Sequence, residues 1–115
     1  MEEILEKLSQ TTGVIGCFIT GLDGLVVASK IRSDKDQDLL AATTADLFRS
    51  LGSAFEKLDD GKTVLLTIER TNDKIFIYPL ENMETILVVL SEPKINLGLI
   101  RMELQEALKK LKNHF

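Results

Sequence analysis

The sequence predicts an α/β (α+β) fold of three layers, in which helices cover both faces of a five-stranded antiparallel sheet. Two predicted strands, Val14–Thr20 and Thr85–Leu90, are apolar on both faces, so each needs a covering layer above and below it. The links between consecutive strands are short, which favours antiparallel pairing. With the element order α-β-β-α-β-β-β-α, we expect the terminal helices on one face and the middle helix on the other. The length of 115 residues fits one domain over residues 1–115.

Hydrophobic periodicity and turn signals define eight elements. They are, in chain order, a helix at Glu2–Gln10, strands at Val14–Thr20 and Leu25–Lys30, a helix at Gln37–Leu58, strands at Thr63–Glu69, Lys74–Leu80 and Thr85–Leu90, and a helix from Pro93 to about Lys112. In the first helix, Leu5 and Leu8 share an apolar face. In the first strand, Ile15, Cys17 and Ile19 are predicted to line one face of the sheet.

Turn and edge signals justify the boundaries of the later elements. The Asp-Gly pair at 23–24 favours a hairpin, and Asp34 or Asp36 is expected to cap the middle helix. The strand Thr63–Glu69 alternates apolar with polar residues, which is typical of a strand at the edge of a sheet. Pro79 lacks a backbone donor and therefore closes the next strand. An apolar stripe at helical spacing from residue 97 to residue 111 predicts the last helix.

The middle helix carries two apolar stripes, although a sheet needs only one. The first stripe, expected to cover the sheet, consists of Leu40, Leu47, Leu51 and Leu58, with Ala54 and Phe55 beside them. The second stripe lies about 100° away around the helix and consists of Ala41, Ala45 and Gly52, with Phe48 between the two stripes. Small side chains let another backbone come close, so the second stripe predicts contact with a second protein. This pattern favours an interaction module over an enzyme.

Composition and charge exclude several classes of protein. Apolar residues make up 44% and charged residues 28% of the chain, as in an ordinary folded domain. The net charge is −4, with 14 basic and 18 acidic residues, whereas contacts with nucleic-acid phosphates need a basic surface. No apolar run approaches the roughly 20 residues that span a bilayer, and the N-terminus lacks the pattern of a signal peptide. We therefore expect a cytoplasmic protein without nucleic acid or a membrane span.

The residues that commonly carry chemistry do not form a site in this sequence. His114 is the only histidine and lies at the chain end, and Cys17 is the only cysteine and is expected to be buried. The segment Gly61–Thr63 resembles the end of a phosphate-binding loop, but it leaves a helix and enters a strand, which is the reverse of the required order. The alternating aspartates at 34, 36 and 38 lack the glycine and glutamate of a calcium loop. We therefore predict no catalytic residue, no metal and no cofactor.

Two segments resemble the roadblock/dynein light chain family. Gly13–Ile19, followed by Gly21–Ser29 with its D-G-L-x-x-A-S pattern, resembles the opening hairpin of that family. Leu87–Leu90, followed by Asn96–Arg101 with its N-x-G-x-x-R pattern, resembles the final strand and the start of the final helix. The element order and length also agree, so the resemblance covers nearly the whole chain. These residues are themselves expected to be architectural.

The resemblance implies a roadblock/profilin-like sandwich with strand order 2-1-5-4-3. Members of the family form homo- or heterodimers in which the middle helices pack antiparallel and the third strands pair, and such dimers serve as platforms for small Ras-like GTPases. On this basis the candidate dimer interface is Ala41, Ala45, Phe48, Gly52, Val64, Leu66 and Ile68. The candidate GTPase surface is Ala42, Asp46, Arg49, Ser50 and Ser53. The chain is expected to be a homodimer, although the resemblance equally allows a different partner subunit.

Three functions are compatible with this sequence. The first is a GTPase-binding module of the MglB-like prokaryotic branch, which stimulates GTP hydrolysis without an active site of its own. The chain has four arginines, Arg32, Arg49, Arg70 and Arg101. None of them lies in a context typical of an arginine finger, so stimulation is expected to act by positioning the switch residues of the GTPase. The second is a non-catalytic structural or adaptor subunit of a larger assembly, similar to a dynein light chain, whose surface docks a peptide or a cargo adaptor. The third is a small-molecule sensor, for which no convergent polar set is evident.

Overall fold

The computed structural model describes residues 1–32, 36–82 and 84–114. It contains three helices and five strands in the predicted order. The helices are α1 (Glu2–Ser9), α2 (Gln37–Glu56) and α3 (Leu97–Leu111), and the strands are β1 (Val14–Gly21), β2 (Val26–Ile31), β3 (Leu66–Glu69), β4 (Lys74–Pro79) and β5 (Thr85–Ser91). In these described ranges, no helix combines the length and the apolarity that crossing a bilayer requires.

The strands form one sheet in the order β2-β1-β5-β4-β3, in which each neighbouring pair is antiparallel. This confirms the predicted topology. Strands β1 and β5 lie in the interior of the sheet and are buried along almost their whole length. Strand β3 forms one edge and β2 forms the other. The predicted three-layer class is confirmed by two separate apolar cores, one on each face of the sheet.

The two cores assign the helices to opposite faces. The first core includes Leu5 and Leu8 of α1 and Ile100 and Leu104 of α3, packed on one face of the sheet. The second core consists of Phe18, Ala41, Phe48, Ile75, Ile77, Ile86, Val88 and Leu90, so α2 covers the other face. The terminal helices therefore share one face and the middle helix covers the opposite one, as the sequence predicted.

A β-bulge corrects the predicted facing of the first residues of β1. Ile15 was predicted to share a face with Cys17 and Ile19, but it packs on the α2 side while Val14 joins the α1 and α3 side. The register between β1 and β5 shifts between Val14 and Gly16, so Ile15 is an extra residue in the ladder. One extra residue exchanges the facing of the residues that precede it.

The edge strand β3 begins at Leu66, three residues later than predicted. Leu66 pairs with Ile77 of β4, and the same register would place Val64 opposite Pro79. Because proline has no N–H to donate, the ladder cannot continue past this point. Helix α2 also ends two residues earlier than predicted, at Glu56. Residues 57–65 therefore form a connection between α2 and β3 that belongs to neither element.

Candidate interaction surface

Helix α2 starts at a side-chain cap and lies on the sheet with its small residues. Oδ1 of Asp36 accepts a hydrogen bond from the N–H of Leu39 at 3.0 Å, which settles the N-cap; the alternative, Asp34, lies outside the described residues. On the buried side, the hydroxyl of Thr44 donates to the carbonyl of Leu40 at 2.9 Å. This bond satisfies the one polar side chain that α2 buries in the described chain.

The two alanines of the second stripe of α2, Ala41 and Ala45, are buried within the chain itself, which corrects the sequence interpretation. Ala41 and Ala45 have no exposed surface and Phe48 is also buried, all within a single chain. Ala41 and Phe48 belong to the core formed with β1, β4 and β5. Small side chains do let another backbone come close to α2, but at Ala41 that backbone belongs to the chain's own sheet and not to a second protein. These three residues therefore have almost no side-chain surface left for a second subunit.

The predicted leucine stripe is only partly covered. Leu40 and Leu47 are half-buried and pack against the α2-side core. Towards the end of the helix the coverage stops, since Phe55 is 53% exposed and Leu58, just past the helix, is 74% exposed. Val64, in the connection that leads into β3, is 76% exposed. The end of α2 and the start of β3 thus leave large apolar side chains uncovered.

Strand β3 offers a free edge beside these residues. It pairs with β4 on one side only. Leu66 and Ile68 are half-buried against the α2-side core, while Thr67 and Glu69 are exposed on the other face. An edge strand of this kind presents backbone donors and acceptors that another strand can pair with. The predicted interface residues Val64, Leu66 and Ile68 therefore lie along an accessible edge.

The candidate GTPase surface is a continuous exposed face of α2. Ala42, Asp46, Arg49, Ser50 and Ser53 are all exposed. Within this face, the guanidinium of Arg49 lies 3.3 Å from a carboxylate oxygen of Asp46. A groove of about 360 Å³ runs along one border, between Arg49 and Ser53 of α2 and Lys62 of the connection. Gly52 opens onto this groove, and a Cβ built on it would meet no atom within 4 Å.

The structure gives each arginine an electrostatic role within the chain. The guanidinium of Arg32 donates to the carbonyls of Ser9 and Val14 at 2.8 and 2.9 Å, which ties the end of β2 to α1 and β1. Arg70 pairs with Asp73 at 3.3 Å. The charge of Arg101 acts on Tyr78, where burial raises the pKa of the phenol and Arg101 opposes that rise. Arg49, paired only at the surface, is the arginine on the candidate GTPase face.

The cysteine is buried and protonated, as expected for a core residue. The thiol of Cys17 donates to the carbonyl of Leu5 at 3.4 Å, beneath α1. Burial, with a smaller effect from the nearby Glu6 carboxylate, raises the pKa of Cys17 to about 12. A thiol with this pKa is almost entirely un-ionised at neutral pH and is a poor nucleophile. Within residues 1–32, 36–82 and 84–114, no three His, Cys, Asp or Glu side chains are grouped to hold a metal.

Comparison with known proteins identifies the family. The family model described as "Roadblock/LC7 domain" matches residues 1–91. The chain belongs to the Roadblock/LC7 family. This confirms the resemblance seen in the sequence. Proteins of this family are generally binding or regulatory modules without catalytic activity.

Relatives of this Roadblock/LC7 chain are found in sequence and in structure. The uncharacterized protein MJ1340 of Methanocaldococcus jannaschii is 32% identical over 115 residues, which are 100% of this chain and 99% of that protein. The structure of MglB from Myxococcus xanthus superposes with a TM-score of 0.91 at 19% identity, covering 99% of this chain and 93% of that one. A structure described as "MglB with tetrameric arrangement" has a TM-score of 0.84 at 18% identity, covering 96% and 84%. At such identities the structures establish a shared fold.

Two exposed leucines of this Roadblock/LC7 domain were missed by the sequence reasoning. Leu25 follows the β1–β2 turn and Leu39 lies in the first turn of α2. Leu39 lies on neither apolar stripe of the helix, and this isolated position was the available signal that it faces solvent. Leu25 gave no such signal, because residues of a hairpin alternate between covered and open faces. Their exposure depends on how the hairpin and the helix meet, which only the fold shows.

Proposed function

We propose that this chain, residues 1–115, is a cytoplasmic dimeric Roadblock/LC7 module that binds a small Ras-like GTPase and promotes its GTP hydrolysis. The observation that carries the proposal is the uncovered apolar surface at the end of α2 beside the open edge of β3. A single chain leaves this surface in water, which disfavours the isolated monomer. Family membership supports the GTPase as the partner, since the family resemblance implies that such dimers serve as GTPase platforms.

The proposed dimer seam differs in part from the one first predicted. It keeps Val64, Leu66 and Ile68, which lie along the β3 edge, and Gly52, whose Cα has open space beside it. The seam replaces the buried residues Ala41, Ala45 and Phe48 with apolar residues at and just past the end of α2. These are Leu51, which is half-buried, and Phe55 and Leu58, which are exposed. Pairing of two β3 edges would extend the sheet across both subunits, while the ends of the α2 helices cover each other's apolar side chains.

The GTPase is proposed to bind the exposed outer face of α2. Asp46 and Arg49 offer a polar pair there, and Ser50 and Ser53 offer hydroxyl groups without bulk. Nothing in this face resembles a general base or a metal site. We therefore assign the stimulation of hydrolysis to positioning of the GTPase's own switch residues. Arg49 is the one arginine on this face, so replacing it tests whether an arginine takes part.

The dimer is tested by light scattering and sedimentation at micromolar concentration. The wild-type chain is expected at twice its monomer mass. Phe55→Glu places a charge in the proposed seam and is expected to raise the dimer Kd by about 100-fold or more. Met102→Glu is a matched control, because Met102 is 66% exposed on α3 and lies on the opposite face. A wild-type monomer at this concentration, or a dimer that tolerates Phe55→Glu, would contradict the seam.

Binding and hydrolysis are tested separately with purified small Ras-like GTPases from the same genome. Each GTPase is loaded with GDP or with a non-hydrolysable GTP analogue, and its affinity for the wild-type chain is measured. Preference for the GTP-analogue form, with faster turnover of GTP, supports the regulatory function. Binding that ignores the nucleotide would instead favour the adaptor function. Arg49→Ala is expected to lower the stimulation no more than it lowers binding; a large loss of stimulation with binding intact would assign an arginine finger.

A further inference from the structure

A second exposed apolar surface lies where the β1–β2 hairpin meets the start of α2. Leu25 is 70% exposed and Leu39 is 64% exposed. A close backbone contact brings their surroundings together, since a Cβ built on Gly24 would lie 3.3 Å from the Cα of Ala42. Leu25 follows Gly24 directly, and Leu39 lies one helical turn before Ala42. Both leucines therefore border the same contact, although fourteen positions separate them in the chain.

Each leucine is presented by a backbone segment that an aspartate holds in place. Oδ1 of Asp23 accepts a hydrogen bond from the N–H of Leu25 at 3.0 Å. In the same way, Oδ1 of Asp36 accepts one from the N–H of Leu39 at 3.0 Å. Gly24 enters the turn with a φ of 86°, a conformation that glycine adopts without strain. The two segments are thus ordered before any partner arrives, which lowers the entropic cost of binding at this surface.

The border of the leucine pair is acidic. Asp23, Asp36, Asp38 and Asp46 are all exposed on the hairpin turn and the first half of α2. Arg49 is the single cation of α2, and it is already within 3.3 Å of Asp46. This distribution repels nucleic acid and anionic lipid, and it attracts a protein face that carries lysine or arginine. Single exposed leucines are common on protein surfaces, but a pair presented by two elements in contact, beside four exposed aspartates of the described residues, is not a scattered pattern.

We propose that Leu25 and Leu39 form a two-point apolar anchor for the bound GTPase. The anchor fits a GTPase face on which lysine or arginine side chains border an apolar surface. This inference rests on the proposed function, and it extends the candidate GTPase surface, because Ala42 belongs to both. The leucines supply desolvated contact area, and the aspartates beside them supply orientation and a faster encounter. The GTPase surface then spans two elements, the hairpin and α2, rather than one helix face.

The apolar part of the anchor is tested by truncation. Leu25→Ala and Leu39→Ala are measured against purified Ras-like GTPases of the same genome, loaded with a non-hydrolysable GTP analogue. Each variant is expected to raise Kd by about 10-fold, mainly through faster dissociation. Met102→Ala, which removes a similarly exposed side chain from the other face, is expected to stay within about twofold of the wild type. Circular dichroism and dimer mass are checked for each variant, since both are expected to be unchanged.

The charged border is tested without disturbing the backbone. Asparagine caps turns and helices about as well as aspartate, so Asp23→Asn with Asp36→Asn removes two charges and keeps both hydrogen-bond acceptors. The double variant is expected to slow association several-fold at low salt and to flatten its dependence on ionic strength. Its dissociation rate is expected to change little, because the leucines keep their places.

The outcomes separate the anchor from the proposed function. If the wild type binds a GTPase and the two leucine variants bind it equally well, the anchor is wrong and the proposed function stands. If Met102→Ala weakens binding as much as the leucine variants do, the hairpin and α2 are not the contact site and the anchor is again wrong. If the wild type binds none of the GTPases in either nucleotide state, the proposed function fails and the anchor fails with it.

Discussion

The middle of α2 and its last turn differ in what covers their apolar side chains. In the middle, Ala41, Ala45 and Phe48 have almost no exposed surface, and Ala41 and Phe48 pack in the core on the sheet. In the last turn, Phe55 has more than half of its surface in solvent, and so does Leu58 just past the helix. The two stretches belong to a single helix of 20 residues, so helix amphipathicity alone does not set their burial. What decides it is where the sheet lies beneath the helix.

This difference changes how a stripe of small residues is interpreted. Alanines let a helix approach whatever lies opposite; in this chain Ala41 packs in the core on the sheet, and Ala45 is fully buried. The large side chains at the end of α2 are the ones left for another chain. A second chain is therefore expected to contact bulky residues at the end of the helix, and the following substitutions test that division.

The largest effect is expected from a charge placed in the covered middle. Ala45→Arg would force a guanidinium into a fully buried site without a partner, at a cost of about 4 kcal/mol or more in the free energy of unfolding. Urea unfolding followed by circular dichroism measures the loss. Ser50→Arg, on the exposed face of the same helix, is the matched control and is expected to stay within about 0.5 kcal/mol. A stably folded but monomeric Ala45→Arg variant would instead return this residue to the dimer seam.

Two phenylalanines of α2 give the next comparison. Phe48→Ala leaves a cavity in the core and is expected to lower the free energy of unfolding by about 3–5 kcal/mol at any protein concentration. Phe55→Ala removes an exposed ring and is expected to weaken the dimer, so that the urea midpoint no longer rises with protein concentration. Measuring both midpoints at two concentrations separates the cases. Equal and concentration-independent losses would show that Phe55 belongs to the core of the single chain.

Much of the fold follows from local patterns in the sequence. The continuous apolar run of Thr85–Leu90 required cover on both faces, and the alternation in Thr63–Glu69 required an edge; the sheet order β2-β1-β5-β4-β3 confirms both. Hydrophobic periodicity also predicted where the helices lie in the chain, because this pattern depends only on residues that are close in sequence. The bulge at Ile15 could not be predicted, since one extra residue in a ladder is defined by the partner strand.

The candidate site was less predictable than the fold, for a physical reason. The two stripes of α2 are both apolar, and sequence pattern does not say which of them faces the sheet. The sequence interpretation assigned the larger residues of α2 to the sheet and Ala41 and Ala45 to a second protein. That assignment was wrong, because both alanines are fully buried within the single chain. Leu25 and Leu39 were missed because the contact that both border, between Gly24 and Ala42, joins two segments distant in the chain. Surfaces built from distant segments become visible only when the chain is folded.

The two ends of α2 also differ in how their backbone is closed, and a smaller effect tests this. The start is capped by the Asp36 side chain, whereas the end is closed by backbone hydrogen bonds from the N–H groups of Leu58 and Asp59 to the carbonyl of Phe55. Asp36→Ala is expected to lower the free energy of unfolding by about 1 kcal/mol, and Asp36→Asn by only a few tenths. Thermal unfolding at fixed concentration measures both. An equal loss in the two variants would show that the charge of Asp36, rather than its hydrogen bond, supports the helix.

Gly52 lies between the covered middle and the open end of α2, and it gives the smallest and most discriminating change. A Cβ at this position meets no atom within 4 Å in the single chain, so Gly52→Ala is expected to raise the free energy of unfolding by about 0.5–1 kcal/mol through helix propensity alone. If a second helix approaches here, as proposed, the added methyl group removes the space for that helix and the dimer Kd rises by about 10-fold. Sedimentation measures the Kd, and urea unfolding below that Kd measures the stability of the chain. A more stable chain with an unchanged Kd would remove Gly52 from the seam and confine the interface to β3 and the exposed residues at the end of α2.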